Sequence, residues 1–160
     1  MGRYDEQDAF RDAWDMDDAP ESTDPKAPED TEAADPDNHY GIEIHARPEY
    51  IPERSNPIQP MYFFSYEITI HNTGDQAARL VSRYWRIRDA YGRIEEVRGP
   101  GVIGKQPRLE PGESFRYTSF CPLPTEFGTM EGSYQMVLDN GTTFDAPIPC
   151  FQLISPQAVN

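Results

Sequence analysis

Residues 61–74 read MYFFSYEITIHNTG. Tyr62, Phe64, Tyr66, Ile68 and Ile70 fall on one side of a two-residue repeat, and Ser65, Glu67, Thr69 and His71 fall on the other. Side chains alternating with this period line the two faces of a half-buried β-strand. Asn72-Thr73-Gly74 closes it with residues that favour a turn.

The period recurs on both sides of this stretch. GIEIHA (41–46) is a short first strand, and RPEYIPERSNPIQP (47–60), with four prolines, reads as a loop. ARLVSRYWRIRDAYG (78–92) places Trp85 and Ile87 inward and turns at 89–92, and RIEEV (93–97) is its hairpin partner. SFRYTSFC (114–121) alternates Phe115, Tyr117 and Ser119, and TMEGSYQMVL (129–138) alternates Met130, Gly132, Tyr134, Met136 and Leu138. Asp139-Asn140-Gly141 supplies the positive-φ residues of a tight hairpin. TFDAPIPCFQLI (143–154) turns Phe144, Ala146, Ile148 and Cys150 to one side, and Pro147 and Pro149 mark it as an edge strand. Seven strands with turn signals every ~8–12 residues predict an all-β, antiparallel β-sandwich over 39–156.

Residues 1–38 differ from the remainder. They hold fourteen acids and three bases, a net of −11, whereas 39–160 hold fourteen acids and eleven bases, a net of −3. Residues 20–37 contain no large apolar side chain, so burial there offsets none of the entropy lost on ordering. The segment 1–38 therefore reads as a disordered acidic tail. Phe10 and Trp14, four apart, suit one face of a short partner-binding helix, set against the plainer reading of a solubilising tail. The acidic balance speaks against nucleic-acid and anionic-membrane partners. The charged start MGRYDEQDAF lacks the apolar core of a signal peptide, and no apolar run reaches the ~18 residues of a membrane helix. A cytoplasmic protein with two reduced thiols is expected.

Gly99-Pro100-Gly101-Val102-Ile103-Gly104 matches G-x-G-x-x-G, the dinucleotide-binding fingerprint. That fingerprint works only where a helix follows, because the helix N-terminus holds the pyrophosphate. Here Pro107 would fall inside the helix, at a cost of ~3 kcal/mol. A weaker reading makes the loop 98–108 an anion-binding nest of backbone N–H groups, with Arg98, Gly99, Gly101, Gly104, Lys105 and Arg108 as ligands. Residues 79–108 carry eight bases and three acids, and the acidic tail is expected to dock there transiently. The competing reading gives the glycines to turns and bulges and the arginines to a solvated edge.

RYWRIRDAYGRIEEVRGPGVIGKQPRLEPGESFRYTSF, followed by TEFGTMEGSYQMVLDNGTTFDAPIPCFQL, resembles the ApaG family over about 39–156. The resemblance implies a fibronectin type III or immunoglobulin-like sandwich, in which Gly99, Gly101 and Gly104 belong to the family pattern. It also implies an indirect link to Co2+/Mg2+ homeostasis and, by neighbourhood, to diadenosine polyphosphate metabolism. Related domains in eukaryotic F-box and polymerase-interacting proteins look like partner-binding modules. The family offers no catalytic residues to carry over.

Other chemistry finds little footing. Cys121 and Cys150 read as small buried or half-buried apolar groups, and His45 and His71 as surface residues without metal-ligand spacing. Tyr134 is a candidate corner tyrosine. The expectation is a non-enzymatic protein-binding module without a cofactor. The alternative is a phosphate, pyrophosphate or nucleotide-anion receptor at 98–108.

Overall fold

The computed structural model describes residues 22–23 and 40–156. The strands are β1 (Ser22–Thr23), β2 (Ile42–Tyr50), β3 (Tyr62–Asn72), β4 (Ala78–Asp89), β5 (Ile94–Pro100), β6 (Arg108–Leu109), β7 (Ser114–Leu123), β8 (Phe127–Leu138) and β9 (Thr143–Ile154). A short 3-10 helix, Pro52–Arg54, lies between β2 and β3. Seven of the strands are long, as the alternation implies. All pairings are antiparallel, in two sheets ordered β1-β7-β3-β2 and β5-β4-β8-β9, with β6 added to β4. The fold is the expected sandwich. Among the described residues no helix is long and apolar enough to cross a membrane.

Ser22 and Thr23, inside the segment read as disordered, pair with Arg116 and Phe115 of β7. The remainder of that segment, with Phe10 and Trp14, lies outside the described residues. β2 also exceeds the expected strand, running through Pro48 to Tyr50. Pro48 is tolerated because β2 ends its sheet, where one side of the backbone needs no partner.

Trp85 is fully buried at the centre, with the rings of Tyr66, Phe151 and Tyr134 at 5.4, 6.0 and 6.3 Å. Edge-to-face contacts of this kind add to the burial of their area. The inward row of β3 is as the sequence implies. Its other face is buried as well: Ser65, Thr69 and His71 point away from the second sheet yet are closed from solvent. Short hydroxyl side chains tolerate burial, so polar residues at alternate positions do not by themselves mark a wet face.

Two bulges reset the alternation. Leu80 pairs with Met136 and Ser82 with Gln135, leaving Val81 unpaired in β4. On β9, Ile148 pairs with Gly132 and Phe151 with Met130, so Pro149 and Cys150 together oppose Glu131. One extra residue flips every following side chain to the other face. Cys150 is therefore exposed, against the expectation that it points inward with Ile148.

Tyr134 is not a corner tyrosine. Its hydroxyl meets that of Tyr117 at 2.5 Å, joining β8 to β7 across the core. Burial pushes both hydroxyls' pKa values up, so both stay protonated. A buried hydroxyl that loses its partner costs about 1–3 kcal/mol, whereas removing both partners costs far less. Tyr134→Phe is accordingly expected to destabilise by that amount. Adding Tyr117→Phe should recover most of the loss, as read from urea midpoints of the single and double variants.

Candidate functional site

The glycine-rich segment is an excursion of the sheet edge. β5 and β6 both run antiparallel to β4, pairing with residues 82–88 and 78–79, and residues 101–107 lie between them. Val102 and Lys105 exchange two backbone hydrogen bonds of 2.8 Å around Ile103 and Gly104. Both central residues have positive φ, 43° and 76°, the signature of a primed hairpin turn. A β-branched residue at positive φ is strained by ~1–3 kcal/mol. Ile103 is buried, which contributes ~1.5–3 kcal/mol and offsets the strain. Val102 is fully buried beside it. The loop thus plugs the core with two aliphatic side chains, and a turn stands where a dinucleotide site needs a helix.

The bulge at Val81 holds this plug. The Val81 carbonyl accepts from the Gly101 N–H at 2.8 Å and from Gln106 Nε2 at 2.9 Å. Leu80 N–H donates to Pro107 O, and Arg79 to Gln106 O. Gly101 has φ 59°, and a Cβ there would lie 2.3 Å from the Lys105 carbonyl oxygen. The N–H groups of Gly101, Val102 and Lys105, which a nest would aim at an anion, are thus spent on the carbonyls of Val81, Lys105 and Val102.

The loop is also tied to the interior. The Arg83 guanidinium donates to the carbonyls of Pro100 and Gly101, both at 2.9 Å. A Cβ on Gly99 would lie 2.8 Å from Arg83 Nη2, so glycine makes room for it. The same charge faces the buried hydroxyls of Tyr66, Tyr117 and Tyr134 and draws their pKa values down against the larger effect of burial.

The flanking bases are dispersed. Arg98 is exposed, stacks over the Tyr84 ring at 4.3 Å and lies 3.6 Å from Glu96. Arg108 grips Asp139 through Nε and Nη2, at 3.0 and 2.5 Å, and Glu110 through Nη1 at 2.7 Å. Lys105 is exposed on the turn. Arg86 pairs with Glu131 at 3.1 Å. Glu110, Glu131 and Asp139 lie outside 79–108, so the local charge count overstates the positive field.

Sequence reasoning missed one constellation. Ladder pairing lines up Ser114, His71 and Glu43 in one row on the outer face of the β7-β3-β2 sheet. His71 Nδ1 lies 2.5 Å from Ser114 Oγ. A hydroxyl beside an imidazole is the start of a nucleophilic pair. Ser114 is only 1% exposed, so a substrate carbonyl does not reach it, and the contact instead satisfies a buried imidazole. His71 is thus not the surface residue expected. No sequence spacing could have shown this row, since its members come from three strands. Cys121 is buried and its thiol pKa is raised by that burial, which disfavours the thiolate. Among the described residues, no three of His, Cys, Asp and Glu gather as a metal site.

Comparison with known proteins agrees with the geometry. A family model described as the ApaG domain matches residues 52–138. Protein ApaG of Dechloromonas aromatica is 54% identical over 123 residues, covering 77% of this chain and 97% of the relative. Protein ApaG of an Azoarcus species is 55% identical over 121 residues, covering 76% and 95%. The crystal structure of an ApaA protein from Bordetella pertussis matches with a TM-score of 0.72 and 49% identity, over 74% of this chain and 96% of that one.

Arg108 holds the Asp139 carboxyl below its ordinary pKa of 3.8. A depressed carboxyl pKa stabilises the fold above the unfolded-state value, and that stabilisation is lost as pH falls through the folded one. Asp139→Asn should therefore lower the urea midpoint at pH 6, and by progressively less as the pH is taken down through the carboxyl's depressed pKa towards pH 2. An equal decrement at both pH values would show that the ion pair is not the cause.

Proposed function

The chain belongs to the ApaG family, and on that footing we propose that it is a non-enzymatic binding module that engages a protein partner. The observation that carries this reading is a set of exposed apolar side chains at one end of the β5-β4-β8-β9 sheet. Phe127 and Ile154 are cross-strand neighbours on its outer face. Ile94 stands on the same face of β5, and Tyr91, 79% exposed, tips the β4–β5 turn. Grouped apolar side chains on an otherwise charged surface mark contact sites for other macromolecules. Aromatic residues are the commonest anchors of such contacts. The inert Cys121 and the closed Ser114–His71 pair support a binding role over a nucleophilic one. A cytoplasmic location is part of the same proposal.

The alternative is an anion receptor at 98–108. Exposed Arg98 and Lys105 beside the turn favour it. The internal use of the loop's N–H groups and the double neutralisation of Arg108 weigh against it.

A photo-cross-linking residue at position 127, in the full chain in cells, separates the two. A discrete adduct that disappears when the linker moves to Asn140, at the far end of β8, supports the protein-binding module. No adduct at 127, together with saturable pyrophosphate shifts confined to the amides of 98–108, would replace it with the anion receptor.

A further inference from the structure

We infer that the outer face of the β7-β3-β2 sheet is the docking surface of this chain's own N-terminal segment, residues 4–23. Four observations lead there. The first is the register of β1: Ser22 and Thr23 lie against Arg116 and Phe115, on the free side of β7. That pairing fixes one end of the segment at the border of this face and away from β4, where local charge alone would have put it.

The second is cover. Phe63, Ser65, Thr69 and His71 point outward from β3, yet none is more than 8% exposed. On the other sheet, the outward residues Tyr84, Arg86 and Ser133 are only half-buried. An antiparallel sheet normally leaves its outer face wet, so a closed one needs something over it. At one end the cover is Arg54, whose guanidinium lies 4.0 Å from the Phe63 ring centre and 5.2 Å from that of Phe120. The Phe63 and Phe120 rings are themselves paired at 5.5 Å.

The third is reach. Crossing from β7 to β2 takes ~10 Å at the usual strand spacing. The twenty-one residues before Ser22 span ~30 Å as a helix and more when extended.

The fourth is composition. Between residues 1 and 38 the large apolar side chains are Met1, Tyr4, Phe10, Trp14 and Met16, all within the first sixteen. Phe10 and Trp14 are spaced to share one face and to meet the aromatic pair. The cations on this border that acids of such a segment would meet are Arg54 and Arg116, the latter also 4.0 Å from Glu67. The segment then acts as an intramolecular mask over a face that includes the Ser114–His71–Glu43 row. This stands whether or not the opposite sheet binds a protein partner.

The test uses the full chain and two variants whose changes lie outside the domain. Backbone amide spectra of the parent are compared with Phe10→Ala/Trp14→Ala, and separately with Thr23→Pro, which removes a donor from β1. Both variants should shift the amides of Phe63, Ser65, Thr69, Arg116 and Phe120 and leave 82–100 unmoved. Unchanged spectra over 40–156, or shifts confined to 79–108, would overturn the assignment. So would shifts that vanish on tenfold dilution, which would place the segment on a second copy of the chain.

Discussion

Three tyrosine hydroxyls closed inside an apolar sandwich constrain the rest of this molecule. Tyr66, Tyr117 and Tyr134 are buried with their polar ends in the core, and the rings of Tyr66 and Tyr134 lie against Trp85. A buried hydroxyl has to find a partner or its desolvation is uncompensated. Tyr117 and Tyr134 find each other, and in doing so they fix the two sheets at one separation. Arg83 brings a guanidinium to the same interior and spends two of its donors on the carbonyls of Pro100 and Gly101. Its charge also draws down the pKa values of the three buried hydroxyls against burial, so one side chain acts both on the core and on the loop with the most suggestive sequence in the chain.

That connection explains the loop's residue types without a nucleotide. Gly99 leaves space for Arg83, Gly101 brings its backbone against Lys105, and Gly104 completes a two-residue turn with Ile103. Val102 and Ile103 fill the end of the core. A spacing that serves pyrophosphate in one fold here serves a turn at a sheet edge, because the residue type supplies backbone freedom and the fold decides its use.

The seven long strands, their turns and the edge position of β9 were legible in the sequence because each rests on local chemistry: side-chain alternation, positive-φ residues, prolines without donors. Features created by pairing were not. The bulges at Val81 and at Pro149–Cys150 depend on register, and the second of them carries Cys150 out of the core. The row of Ser114, His71 and Glu43 exists only once three strands are aligned. Two of the carboxylates that neutralise the basic stretch, Glu131 on β8 and Asp139 just after it, are remote in sequence. For the candidate site, the glycines and their flanking bases could be named in advance. Their commitment to one another, to Arg83 and to Asp139 could not.

Residue-resolved amide hydrogen exchange on the full chain carrying Arg83→Met tests most directly whether the core organises the loop. With the guanidinium gone, the amides of Gly101, Val102 and Lys105 should lose much of their protection, while those of β3 and β7 keep theirs. Loop amides as well protected as in the parent would contradict the link between the interior and the glycine-rich segment.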